Sequence, residues 1–182
     1  TDPVLKENGS TTEYWKTGHS YTKRRTRETG AIAGFEKSGH FFFNEPLGRG
    51  YDDGLVAAFA VLDMMDRNPG RSFADLERAL PRTFQAPTMS PHCDDEKNYA
   101  VVEKVTAHFK ALAAKGGRLA GQPISDLITI NGVRVVLQDG TWGLARPSHN
   151  KPALVVGVDS QAPEETMRAT CPRTDPPRAA PP

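Results

Sequence analysis

One run of five residues, Glu36-Lys37-Ser38-Gly39-His40, puts a carboxylate, an ammonium, a hydroxyl and an imidazole within a single tight turn. The stretch before it, residues 31–35, is small and apolar. Phe41-Phe42-Phe43 after it favours strand. The run therefore reads as the polar loop of a strand–loop–strand unit, with Gly39 free to turn the backbone or to let it approach a ligand closely. Such a loop suits a vicinal diol: Glu36 accepts from one hydroxyl while Ser38 donates to or accepts from its neighbour. An ordinary hairpin loop has the same spacing. A second group, Trp15-Lys16-Thr17-Gly18-His19-Ser20, opens a helix expected over residues 21–28 with Thr17 or Ser20 as its cap. Free N–H groups at a helix start, joined by Lys16 and His19, make an anion site; a capped helix with a surface histidine is the plainer reading. A third group is Arg146-Pro147-Ser148-His149-Asn150-Lys151-Pro152. Arg146 can fork two phosphate oxygens, and Ser148, Asn150 and backbone N–H groups can serve the rest. A basic hairpin loop would also look like this.

The elements around these groups follow from patterning. Asp52-Asp53-Gly54 opens a helix whose Leu55, Val56, Ala58, Phe59, Val61, Leu62 and Met65 form a wide apolar face. Asp52 or Asp53 stands at its N-cap, where a carboxylate suits the dipole, and we read the pair as capping rather than as metal ligands. Asn68-Pro69-Gly70 ends that helix. Ser72 caps a shorter one over residues 73–80, which Pro81 stops. Residues 81–91, punctuated by Pro81, Pro87 and Pro91, read as a linker. His92-Cys93-Asp94-Asp95-Glu96 has metal-ligand types, but adjacent side chains rarely converge on one ion. It reads as the start of a helix over about 94–114, with Val101, Val102, Val105, Phe109 and Leu112 facing a core. Strands are expected over 124–130, 133–137, 141–145 and 153–158, with Asn131-Gly132 as a hairpin turn. A last helix is expected over 163–170, and a disordered Pro-rich tail over 172–182.

Composition bounds the possibilities. At 182 residues the chain holds one and a half domains, or two small ones, with a real core. A formal net charge of +1 gives no global reason to expect nucleic acid or an anionic membrane as partner. Lys23-Arg24-Arg25 and Arg27 share a helix and read as a solvated face, a long-range attractor for a phosphorylated ligand, or an RNA-binding stripe. No apolar run reaches membrane-spanning length. The chain opens without an initiator Met and within what reads as an element, which leads to the expectation of a fragment of a longer protein. Cys93 and Cys171 share no metal or redox spacing, so a cytoplasmic, thiol-reduced protein is expected. The loop around Ser38 is not a Gly-x-Ser-x-Gly elbow, which argues against a serine hydrolase.

Thr17-Gly18-His19-Ser20, Glu36-Lys37-Ser38-Gly39-His40, Asp52-Asp53-Gly54 and Arg146-Pro147-Ser148, in this order and spacing, resemble the C-terminal part of a bacterial phosphomannomutase/phosphoglucomutase of the α-D-phosphohexomutase superfamily. The resemblance runs over about residues 1–167. It implies four domains around one cleft. The third supplies a sugar-recognition loop, matched by Glu36, Ser38 and His40. The fourth supplies a phosphate-binding loop, matched by Arg146 and Ser148, with Asn150 as an added donor. Lys16 and His19 resemble active-site residues of the third domain and are assigned as catalytic. One departure is that His149 stands where the family has Asn or Gly, and Asn150 where it has Thr; the individual roles of these two stay open.

The resemblance also implies parts that this chain lacks: a phosphoserine in the first domain and an aspartate-rich Mg²⁺ loop in the second. Neither a Thr-Ala-Ser-His-Asn-Pro-type nor an Asp-Gly-Asp-Gly-Asp-type motif occurs here, so no metal site is expected in this chain. The expected fold is an α/β remnant of the third domain over residues 1–85, then an α+β domain with an antiparallel sheet over 86–171, then the tail. The intact enzyme is expected to be an isomerase that interconverts hexose 1-phosphate and 6-phosphate, of mannose or glucose. It would work through phosphoserine and a hexose bisphosphate, with Mg²⁺, and the isolated chain would be inactive. Expected partners are hexose phosphates and the missing N-terminal domains, not nucleic acid or membrane. The rival readings are a non-catalytic phosphosugar-binding module and an RNA-binding protein.

Overall fold

The computed structural model describes residues 3–160, which fall into two compact units, one ending at Ala79 and the other beginning at Leu80. The helix expected over 163–170, Cys171 and the Pro-rich tail lie outside the described residues.

The first unit contains helices α1 (Pro3–Glu7), α2 (His19–Thr29), α3 (Gly54–Asp66) and α4 (Phe73–Arg78), with strands β1 (Ala33–Phe35) and β2 (Phe41–Phe43). The two strands pair antiparallel, Ala33 opposite Phe43 and Phe35 opposite Phe41. α2 is strongly polar and is held by specific contacts rather than by an apolar stripe. Thr26 is buried, and its Oγ1 donates to the Thr22 carbonyl. The Asn44 amide donates to the carbonyls of Thr26 and Ala31, tying the helix end to the chain beyond β2. Arg25 forks both Glu13 carboxylate oxygens and lies over the Trp15 ring, which fixes the segment leading into the helix. Gly34 on β1 has no room for a side chain, because a Cβ there would meet Thr26 Oγ1.

α2 begins two residues earlier than expected. Its N-cap is Gly18, at φ 132°, and no side chain caps it, so neither Thr17 nor Ser20 does. That backbone conformation disfavours any residue with a Cβ, which explains why glycine and not a hydroxyl residue stands there. α3 and α4 match expectation. Asp53 accepts from the N–H groups of Leu55 and Val56, and Ser72 and Asp75 form a reciprocal capping box. α3 nonetheless buries no residue fully, and Leu55, Phe59 and Leu62 on one of its faces are 73%, 68% and 61% exposed. Among the described residues of this unit Phe42 is the one large apolar side chain fully enclosed, at 0% exposure.

The second unit packs helix α5 (Asp95–Ala114) on a six-stranded antiparallel sheet of β3 (Phe84–Gln85), β4 (Arg118–Leu119), β5 (Gln122–Ile128), β6 (Val133–Leu137), β7 (Trp142–Pro147) and β8 (Leu154–Ser160). The strand order is β3-β8-β7-β6-β5-β4. Alternation on β6 sends Val133, Val135 and Leu137 into the core, against Val105 and Phe109 of α5 and Leu119, Ile124, Leu127 and Ala145 of the sheet. On the opposite face Arg134 stacks over Trp142 at 3.9 Å. The fold class is therefore an α/β piece followed by an α+β piece with an antiparallel sheet, as the sequence led us to expect.

Three local readings change. Residues 81–91 are not a free linker: Phe84 and Gln85 pair with Ser160 and Asp159, Ala86 N–H donates to Val158, and Met89 bridges Val156. The prolines hid this edge strand because pairing on one side only needs alternate N–H groups, and Pro is tolerated at a sheet edge. Residues 118–123 form an unexpected hairpin, turning at Ala120 and Gly121, both at positive φ. Asn131-Gly132 is not a two-residue turn, since β5 stops at Ile128 and four residues separate it from β6. Gly132 remains obligatory at φ 86°, where a Cβ would collide with the Ala145 carbonyl and Arg146. Among the described residues no helix is long and apolar enough to cross a membrane.

Candidate functional site

The hairpin β1–β2 presents the loop Glu36 to His40 in a closed form. Glu36 N–H donates to the His40 carbonyl at 3.0 Å and Gly39 N–H to the Glu36 carbonyl at 2.9 Å, with Gly39 at φ 91°. Glu36 is half-buried because Thr22 of α2 donates to its Oε1 at 3.1 Å. Ser38 is exposed in the turn. His40 closes the loop at the start of β2, and its ring Nδ1 lies 2.6 Å from Asp52 Oδ2.

His19, the first residue of α2, comes to the same place. Its ring sits edge-on to Phe42 at 5.0 Å and nearly perpendicular to the His40 ring at 6.0 Å. Its Nε2 is 3.6 Å from the same Asp52 oxygen. His19 follows the N-cap Gly18 directly and is the first residue of the helix. Lys16 is directed elsewhere, its Nζ 5.8 Å from the centre of the Tyr21 ring. The structure thus brings together Glu36, His40 and His19 and keeps Ser38 beside them on the loop, while Lys16 lies over an aromatic ring.

The residue that gathers the histidines is Asp52, which sequence reasoning took only as one of two candidate caps. Asp53 alone caps α3. Asp52 is left free to turn its carboxylate toward His19, His40 and the Phe41 N–H, which donates to Oδ1 at 3.3 Å. The hydrogen bond from His40 holds the Asp52 carboxyl below the ordinary carboxylate range, opposed by partial desolvation and reinforced by the charges of His40 and His19 and by the Phe41 N–H. The available signal was two adjacent acids before one helix, where only one can cap.

In the second unit the third expected group forms the β7–β8 connection. Arg146, half-buried on β7, donates from Nη1 to the Pro147 carbonyl at 3.1 Å. Ser148 N–H donates to Ala153, and Asn150 N–H reaches Ser148 Oγ at 3.3 Å. His149 Nδ1 lies 3.4 Å from the Tyr99 hydroxyl of α5. The loop is pinned along its far side by Cys93 N–H to Pro152 and Leu154 N–H to Pro91. Asp94 occupies the N-cap position of α5 without a side-chain cap. It pairs instead with Lys97 at 2.8 Å and His92 at 3.4 Å.

Among the described residues no set of His, Cys, Asp and Glu side chains is disposed to hold a metal ion. A cavity of about 530 Å³ in the first unit is lined by Glu45, Leu47, Arg49, Tyr51 and Val56 among others, and by none of the expected site residues.

Comparison with known proteins bears on both units. Residues 1–84 match the family described as phosphoglucomutase/phosphomannomutase, alpha/beta/alpha domain III. The phosphomannomutase/phosphoglucomutase of Pseudomonas syringae pv. tomato is 31% identical over 166 residues, covering 91% of this chain and 33% of the relative. The phosphoglucomutase of Neisseria meningitidis serogroup A is 35% identical over 170 residues, covering 91% and 34%. A crystal structure of a phosphoglucomutase/phosphomannomutase family protein from Burkholderia thailandensis superposes with a TM-score of 0.72 at 29% identity, over 91% of this chain and 32% of that one. The chain spans about a third of the length of these relatives.

Proposed function

From the match of residues 1–84 to the phosphoglucomutase/phosphomannomutase family and the likeness of 91% of the chain to phosphomannomutase/phosphoglucomutases, we propose that the chain supplies sugar recognition and the distal-phosphate grip of a phosphohexomutase. The reaction is interconversion of hexose 1-phosphate and 6-phosphate through a phosphoserine enzyme and a bisphosphate intermediate. The observation that carries this reading is the closed loop 36–40, with His19 brought beside His40 from a separate helix. Glu36 and Ser38 hold adjacent sugar hydroxyls in either orientation of the sugar, while His19 and His40 line the same face. Residues 86–171 act as the fourth, phosphate-binding domain: Arg146, Ser148 and Asn150 hold the phosphate that is not reacting. Remote binding of that phosphate fixes which oxygen reacts. Lys16 contributes positive charge near the start of α2. The nucleophilic serine and the Mg²⁺ site belong to polypeptide outside this chain, so the 182 residues alone bind without turnover.

The test is titration of the chain with glucose 6-phosphate, mannose 6-phosphate and the unphosphorylated sugars, followed by amide chemical shifts. Phosphosugars should move the signals of Glu36 to His40 and of Arg146 to Asn150; the free sugars should leave the second loop untouched. Arg146→Ala should weaken phosphosugar binding by roughly 2–4 kcal/mol, and Arg146→Lys should recover part of it because an ammonium cannot fork. Equal affinity of wild type and Arg146→Ala for glucose 6-phosphate removes the phosphate grip. Turnover of glucose 1-phosphate by the purified chain removes the division of labour.

A further inference from the structure

We propose that Asp52 is the positioning residue of this face, fixing the proton of His40 on Nδ1 so that Nε2 is presented as the acceptor for a sugar hydroxyl. The inference rests on the reading of loop 36–40 as a sugar site. Its support is geometric. Asp52 Oδ2 and His40 Nδ1 are 2.6 Å apart, a charge-assisted distance. A carboxylate only accepts, so a neutral His40 must carry its proton on the nitrogen facing Asp52. The other ring nitrogen is then the basic one, and which nitrogen that is follows from the partner of the first. Oδ1 of the same carboxylate is anchored by the N–H of Phe41, the residue after His40, so ring and carboxylate are referenced to one stretch of backbone. Asp53 takes over the capping of α3 and leaves Asp52 free of that task.

His19 shares the arrangement unequally. Its Nε2 stands 3.6 Å from Oδ2, beyond hydrogen-bond reach, and its ring is seated on Phe42. Asp52 therefore dictates the tautomer of His40 and supplies only a Coulombic pull to His19. A carboxylate behind an imidazole is a recurrent way to fix ring orientation, and replacing it by an amide leaves the geometry but spoils the tautomer.

The test uses the ligand-free 182-residue chain and ring ¹⁵N shifts at about pH 8, above the ordinary imidazole value of roughly 6.5. Wild-type His40 should carry its proton on Nδ1. Asp52→Asn and Asp52→Ala should move it to Nε2, and Asp52→Glu should keep it on Nδ1. Wild-type His40 protonated on Nε2, or an Asp52→Ala ring still protonated on Nδ1, overturns the inference; should the variants fail to fold, the wild-type ring alone decides. Asp52→Asn should also bind glucose 6-phosphate roughly 10-fold more weakly, the cost typical of losing an orienting partner. A variant that moves the proton yet binds like wild type overturns the positioning role. If no hexose phosphate binds wild type while the tautomer still depends on Asp52, the sugar reading falls and the carboxylate–imidazole unit stands.

Discussion

Two loops in this chain are expected to meet ligand, and they are braced to different degrees by side chains. The loop from Glu36 to His40 is closed by two backbone hydrogen bonds of its own and held in addition by side chains reaching in from other elements: Thr22 to Glu36, Asp52 to His40, Asp52 to the Phe41 N–H. Among its described residues, the unit beneath it encloses one large apolar side chain, Phe42. The loop from Arg146 to Pro152 is held mainly by backbone hydrogen bonds at its base, at the end of a sheet whose β6 residues Val133, Val135 and Leu137 are almost fully buried. The difference teaches that the first loop is exact in its charges but depends on a thin core, whereas the second is fixed in its path and leaves most of its polar side chains exposed. Single side-chain changes should therefore damage the first unit's site and stability together. In the second unit the two should separate.

The largest effect that can break this contrast is loss of Phe42. Phe42→Ala empties the centre of the first unit and removes the ring against which His19 sits, a cost of about 3–5 kcal/mol. Leu137→Ala in the second unit should cost roughly 2–5 kcal/mol. Amide hydrogen exchange on each variant should show protection falling in the unit that carries the change and little change in the other. Loss of protection across both units from either substitution would refute independent cores.

A smaller effect sharpens the comparison at two helix starts that look alike in sequence. Asp53 and Asp94 both occupy N-cap positions, but only Asp53 accepts backbone N–H groups with its side chain. Asp53→Ala should cost roughly 0.5–2 kcal/mol. Asp94→Ala, which loses only exposed pairs with Lys97 and His92, should stay within about 1 kcal/mol. Chemical denaturation of the two variants settles it, and equal losses would mean that Asp94 caps in solution.

These helix starts also mark what the sequence could and could not disclose. Helices α3, α4 and α5 and strands β6 and β7 were legible because each rests on a local signal: a cap, an apolar period of 3.6 or 2, a glycine past the end. The edge strand Phe84–Gln85 and the hairpin at Ala120-Gly121 were not, since one exists only through pairing with β8, 74 residues away, and the other puts an alanine at positive φ. The site showed the same division. Glu36, Ser38 and His40 are neighbours in sequence and were visible as a loop. The meeting of His19, His40 and Asp52 spans 33 residues and depends on how α2 packs against the hairpin, which no spacing rule encodes. Asp52 was hidden behind Asp53 because either could cap.

The smallest effect concerns acid, and it follows from where the perturbed carboxyls lie. Glu13, Asp52 and Asp75 all have their carboxyls held below the ordinary range, by Arg25, by His40 and by Ser72 respectively as the leading cause. All three belong to the first unit. A carboxyl whose folded value is depressed binds its proton more readily in the unfolded chain, so it stabilises the fold above the unfolded value, near 3.8 for Asp, and that contribution is lost as pH falls through the folded value. Each group is solvent-reachable, and the individual contributions are small. The first unit should nevertheless lose protection ahead of the second as pH is lowered from about 5 to about 3, where depressed carboxyls begin to protonate. Asp52→Asn should flatten part of that acid dependence, because an amide does not titrate, and Asp75→Asn should flatten a separate part, because its partner Ser72 lies on another helix start. Hydrogen exchange followed across that window reads both. If the second unit opens first, or if neither substitution alters the acid profile of the first, the side-chain bracing of loop 36–40 is not what distinguishes the two regions.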